Sequence, residues 1–128
     1  MCGISCLINF DNKLDLKKNI NYMINALNHR GPDFSDYYLN KNLAIGHNRL
    51  SIIDLSNNAN QPFYSKNKKY ILSYNGEIYN YIEIKKTLEN KGFIFNTNSD
   101  TEVVLNSLIH WGIDAVKKFN GMFAFIFY

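Results

Sequence analysis

Apolar residues fall on both parities from Gly3 to Phe10, the pattern of a first strand buried on both faces. Asp11-Asn12 then turns the chain. Leu16, Ile20, Met23, Ile24 and Leu27 recur at helical spacing and predict an amphipathic helix of about three turns ending near His29. Gly31-Pro32 breaks it. Two short strands follow, around Phe34–Leu39 and Leu43–His47, joined by the polar turn Asn40-Lys41-Asn42. An Asn-rich polar loop covers 54–68, and Lys69–Tyr74 reads as a strand that ends on Asn75-Gly76.

A second helix is expected over Asn80–Lys91, stopped by Gly92. A third opens at Ser99, where Ser99 and Glu102 form a capping box, and carries Val104, Leu105, Leu108 and Trp111 inward until Gly112. After a helical turn near 113–118, Met122–Tyr128 reads as a fully buried strand. The sum is an α+β fold with helices available to cover both faces of stacked sheets. Ending inside an apolar strand is unusual for an exposed edge, so a further strand is expected beyond residue 128.

Composition narrows the classes. The 128 residues are 46% hydrophobic and 20% charged, as in an ordinary one-domain globular protein. No apolar run approaches the ~20 residues of a membrane helix. Asn9, Asp11, Lys13 and Asp15 interrupt the start, so no signal peptide and a cytoplasmic location are expected. The net charge is +3, with lysines scattered among acids, and this lacks the basic stripe of a nucleic-acid binder. Lysine occurs twelve times and arginine twice, so Arg30 and Arg49 mark places where a planar fork is required. On one strand face Cys2 and Cys6 would stand about 13 Å apart, too far to bridge. Cys6 is read as a small buried apolar residue.

Candidate chemistry begins at Cys2. A small second residue permits removal of Met1, leaving a thiol beside its own α-amine with a pKa of about 7.7–8. That amine takes the thiol proton, directly or through water, so no histidine base is needed. Asn75 and Gly76 offer a side-chain amide and a backbone N–H for an oxyanion hole, or else a plain Asn-Gly turn. Arg49 offers a bidentate grip for a carboxylate, or a structural ion pair. Asp100, in the first turn of the third helix, suits the helix dipole and is also able to meet an ammonium group.

MCGI at the start, NHRGPD at 28–33, GHNRLSIIDL at 46–55, QPF at 61–63, YNGEIYNY at 74–81, SDTE at 99–102 and NGMFAF at 120–125 occur in this order. With these words the chain resembles the N-terminal glutaminase domain of asparagine synthetase, a class II glutamine amidotransferase of the N-terminal-nucleophile type. The resemblance implies a four-layer αββα sandwich over residues 1–128, truncated at its C-terminal end. It implies that Cys2 attacks the amide carbon of L-glutamine and that Asn75 and Gly76 hold the oxyanion. Arg49, with the backbone of Ile52 and Ile53, would bind the α-carboxylate, and Glu77 and Asp100 the α-ammonium. Arg30 and Asp33 would serve structurally, as would His29 and His47, while His110 lies on the surface.

Ser5-Cys6 replaces the usual hydrophobic-glycine step of the first strand. The resemblance implies no cofactor in this domain. ATP and magnesium belong to a synthetase domain in cis, absent from these residues, and a homodimer is left open. An inactive binding module of the same fold, or an amidase acting on another side-chain amide, would use the same words. Mass spectrometry of the purified protein should show the loss of Met1. A retained Met1 would lock the required amine into a peptide bond.

Overall fold

In the computed structural model, residues 2–11 and 13–128 are described. Met1, the expected processing site, and Asn12, half of the expected Asp11-Asn12 turn, lie outside the described residues. Among the described residues the elements are β1 (Gly3–Ile8), α1 (Leu16–Leu27), β2 (Phe34–Leu39), β3 (Leu43–Arg49), β4 (Phe63–Tyr64), β5 (Ile71–Ile78), α2 (Tyr81–Glu89), α3 (Asp100–Trp111) and β6 (Gly121–Phe127). They follow the predicted order except for β4, a two-residue strand inside the expected 54–68 loop that pairs with β5. Short 3-10 turns occupy Asn57–Ala59 and Gly112–Lys118.

The strands form two antiparallel three-stranded sheets, ordered β1-β3-β2 and β4-β5-β6. α1 lays its apolar stripe on the first sheet, where Leu16, Ile20 and Ile24 bury against Ala44. α2 and α3 cover the second, and Leu72, Ile78, Leu88, Val104 and Leu105 form its core. Between the sheets, Ser73 Oγ donates to Gly46 O at 3.0 Å, and His47 Nε2 meets Tyr74 O at 3.0 Å. The layers therefore run helix, sheet, sheet, helix, as the α+β reading and the αββα resemblance both require.

Helix ends follow local chemistry. The Asp15 carboxylate accepts from Lys18 N–H and starts α1. Gly92 (φ 90°) and Gly112 (φ 60°) take left-handed conformations at the predicted stops. The capping box is not formed. Ser99 Oγ accepts from Thr101 N–H, while the Glu102 carboxylate turns back to the N–H groups of Asn96 and Thr97. That buried carboxylate satisfies three donors of the preceding loop, the Thr97 hydroxyl being the third, a better outcome than one bond to Ser99.

Three other expectations change. Asn75-Gly76 does not end its strand: β5 continues to Ile78, with Asn75 opposite Ala124 and Gly76 opposite Phe123. A Cβ at Gly76 would stand 2.4 Å from Met122 O and 2.6 Å from Phe123 Cα, so glycine here permits close strand approach rather than a turn. β6 is not fully buried. It lies at a sheet edge, with Phe123, Phe125 and Phe127 packed on the helical side and Met122 67% exposed on the other. Trp111 and Cys6 are half-buried, because α3 ends at the surface and β1 is also an edge strand. Among the described residues no helix is long and apolar enough to cross a membrane.

Leu72 is fully buried near the start of β5, the central strand of its sheet, whereas Ile94 is 73% exposed. Leu72→Ala should lower stability by about 2–5 kcal/mol. Ile94→Ala should stay within about 0.5 kcal/mol. Urea unfolding midpoints measure both.

Candidate active site

Cys2 immediately precedes β1, so the register that sets Gly3 opposite Asn48 also holds the thiol at the exit of β3. Leu50 N–H donates to Cys2 Sγ at 3.3 Å, and Sγ lies 3.7 Å from Leu50 O. Arg30 Nε donates to the Cys2 carbonyl at 3.2 Å. The loop after α1 seats directly on β3, since a Cβ on Gly31 would stand 2.2 Å from Asn48 O. From there Asp33 accepts Ser51 N–H at 2.7 Å and gives its own N–H to Arg49 O. Arg30 and Asp33 thus brace Cys2 and the Arg49 loop, the structural duty expected of them.

Arg49 ends β3 and is 6% exposed. Its Nη1 donates to Ser56 O at 2.9 Å and Asn60 Oδ1 at 2.6 Å, and its Nη2 donates to Asp54 O. A guanidinium has five N–H donors, so three are spent on this loop. The Nε–H and one Nη2–H have no partner among the described residues, and such donors suit a carboxylate. The Asp54 carboxyl accepts from Ser56 and Asn98 N–H groups. Hydrogen bonds from Ser56 and then Asn98 hold it below the usual carboxylate range.

β5 supplies the opposite wall. Tyr74 turns to the helical side, where its hydroxyl donates to Asp100 Oδ2 at 2.8 Å, while Ser73 turns to the first sheet. By strand alternation Asn75 shares the Ser73 face, towards Cys2. Asn75 Oδ1 is buried and has no hydrogen-bond partner among the described residues. An unpaired buried acceptor is uncommon and suits a hydrogen-bond donor from a ligand. Glu77, one step along that face, is exposed.

Asp100, the first residue of α3, is 4% exposed. Its Oδ2 also accepts Ile78 N–H at 3.2 Å. Burial raises its pKa, while hydrogen bonds from Tyr74 and Ile78 oppose the rise. Among the described residues no cation pairs with it. A buried carboxylate in this state favours a visiting cation.

All eight residues singled out from the sequence, Cys2, Arg49, Ile52, Ile53, Asn75, Gly76, Glu77 and Asp100, line one cleft of about 120 Å³. Three others escaped the sequence reading. Leu50 acts through its backbone N–H, which no side-chain pattern reveals. Gln61 pairs with both backbone groups of Tyr74, accepting its N–H at 2.7 Å and donating to its carbonyl at 3.2 Å. Their only signal was membership of the QPF and YNGEIYNY words. Cys6 lines a separate cavity with Ile8, Ile45 and Phe127. Among the described residues no group of three His, Cys, Asp or Glu side chains is arranged to hold a metal ion. His29 and His110 are exposed, and only His47 is buried, outside the cleft.

A residue-2 thiol at the mouth of an αββα sandwich is the arrangement of N-terminal-nucleophile hydrolases. Within that class, the chain belongs to the glutamine amidotransferase domain family, which matches it over residues 1–128. It is 42% identical over 129 residues to the glutamine-hydrolyzing asparagine synthetase 1 of Bacillus subtilis, covering 98% of this chain and 20% of that protein. It is 37% identical over 131 residues to asparagine synthetase B of Escherichia coli, covering 100% of this chain and 23% of that one. The chain thus spans about a fifth of the length of the curated relatives it matches. Among solved structures, glutamine phosphoribosylpyrophosphate amidotransferase from B. subtilis superposes with a TM-score of 0.56 at 32% identity, covering 68% of this chain and 21% of that one.

Burial lowers the His47 pKa to about 4 from 6.5, against the raising effect of the Tyr74 carbonyl, so the ring is neutral near pH 7. The unfolded chain binds this proton first, so stability should fall as pH drops from 6.5 towards 4. The raised carboxyl of Asp100 acts in the opposite sense over its own titration range. Comparing wild type with His47→Gln by urea unfolding across that window should show a shallower slope for the variant.

Proposed function

We propose that this chain hydrolyses the side-chain amide of L-glutamine to glutamate and ammonia. The observation that carries the reading is the shared cleft. A thiol at residue 2, a guanidinium and a buried, cation-free carboxylate face one space. Those groups complement a free α-amino acid with an electrophilic side chain better than they complement a peptide, whose α-groups are blocked.

Once Met1 is removed, the Cys2 α-amine accepts the thiol proton, and Sγ attacks the amide carbon. Asn75 and the Gly76 N–H hold the oxygen as it becomes negative, a type of contact worth about 10²–10³ in rate. Arg49, with the backbone of Ile52 and Ile53, holds the α-carboxylate, while Asp100 and Glu77 hold the α-ammonium. The α-amine returns the proton to the leaving nitrogen, the C–N bond breaks and ammonia departs. A glutamyl thioester remains on Cys2. Water, deprotonated by the same amine, attacks it, the C–S bond breaks, and glutamate leaves with the thiol restored.

In the longer protein of which relatives of this kind are examples, the ammonia serves ATP-dependent conversion of aspartate to asparagine. That step, with its ATP and magnesium, belongs to a synthetase domain outside these residues. We take the cytoplasm as its location, on the polar residues that interrupt the apolar start of the chain.

Incubating the processed protein with glutamine should release glutamate and ammonia in equal amounts. Cys2→Ala should reduce release to background, and Asn75→Ala should lower kcat by about 10²–10³. Release that survives Cys2→Ala, or none from folded protein lacking Met1, would overturn the reading.

A further inference from the structure

Tyr74 is 2% exposed and stands between the two halves of the cleft. Its backbone is held three times: Gln61 Oε1 accepts its N–H at 2.7 Å, and its carbonyl receives Gln61 Nε2 at 3.2 Å and His47 Nε2 at 3.0 Å. Gln61 itself is fixed to Thr101 in the first turn of α3. The Tyr74 hydroxyl reaches the same turn, donating to Asp100 Oδ2 at 2.8 Å. One residue therefore connects the backbone carrying Asn75 with the carboxylate at the start of α3.

We propose that Tyr74 is a positioning residue that sets the selectivity of this cleft for substrates bearing an α-ammonium group, by clamping Asp100. Resting on the glutaminase reading, this role adds a residue that need not touch substrate. Oδ2 of Asp100 takes both the Tyr74 hydroxyl and the Ile78 N–H, so Oδ1, which receives neither, is the oxygen turned to the rest of its surroundings. Burial, then the neighbouring Asp100, pushes the Tyr74 phenol far above its ordinary range. It is a permanent hydrogen donor to the carboxylate. Such a donor stabilises the charged form of a buried acid, which otherwise tends to protonate and lose its attraction for a cation. A protonated or rotated Asp100 would still fill the same space but would no longer favour ammonium over hydrogen at the α-carbon.

The test compares L-glutamine with glutaramate, the same amide without the α-amino group, in wild type and Tyr74→Phe. For glutamine, Tyr74→Phe should lower kcat/KM about tenfold, chiefly through KM, the size expected for one hydrogen bond to a charged group. For glutaramate kcat/KM should not change. In an Asp100→Asn background Tyr74→Phe should have no further effect on glutamine. Equal losses on both amides, no loss on either, or a variant that fails to fold would make Tyr74 a structural residue and overturn the proposal. Calorimetric binding of L-glutamate and glutarate needs no turnover. A wild-type chain that prefers glutamate yet releases no ammonia fails as a glutaminase but keeps the ammonium site. A chain that hydrolyses glutamine but treats both amides alike in Tyr74→Phe keeps its activity and loses this role.

Discussion

Two sheets packed face to face must meet through whatever their central strands carry, and here β3 and β5 meet through polar groups. The contact between His47 Nε2 and the Tyr74 carbonyl, reinforced by Gln61 on the same backbone, fixes how one sheet sits on the other. A buried ring N–H left without an acceptor is costly, and His47 is fully buried, so a sliding of the sheets that broke this contact would be resisted. The cleft depends on that register. Cys2 and Arg49 come with the first sheet, Asn75 and Gly76 with the second, and Asp100 follows through Tyr74.

Seen from this joint, the histidine buried between the sheets has a use that is not catalytic. A neutral ring donates to the carbonyl without adding a second positive charge beside Arg49, which already lowers its pKa. Carboxylates are treated differently. Asp54 is stabilised as an anion by loop N–H groups, whereas Asp100 is buried with no cation among the described residues. Similar side chains thus meet distinct surroundings: Asp54 is held by its loop, and Asp100 is buried without a partner charge among the described residues.

Much of this was legible in the sequence where local physics decides. The helical spacing of Leu16, Ile20 and Ile24 was enough to locate α1, and Gly92 and Gly112 stop helices for reasons contained in a single residue. The cleft residues were legible through the motif words and their chemistry. What escaped depends on distant partners. Asn75-Gly76 looks like a turn until β6 pairs with it, because the pairing strand lies far along the chain. Apolar residues on both parities of β6 hid which face would stay open. Glu102 chose the Asn96 and Thr97 amides over Ser99, a competition no spacing rule ranks. Leu50 contributes only backbone, and the carbonyls of Asp54 and Ser56 that wrap Arg49 have no signature of their own.

That wrapping has a consequence for affinity. Because three N–H groups of Arg49 are held by residues 54–60, the side chain is immobilised before any ligand arrives. A free arginine gives up about 2 kcal/mol of rotamer entropy on being fixed. Here that entropy is surrendered during folding, so any ligand group that meets the guanidinium would find it already in place. The same economy ties recognition to the integrity of an exposed loop. Loosening residues 54–60 would weaken binding without altering any atom that touches the ligand.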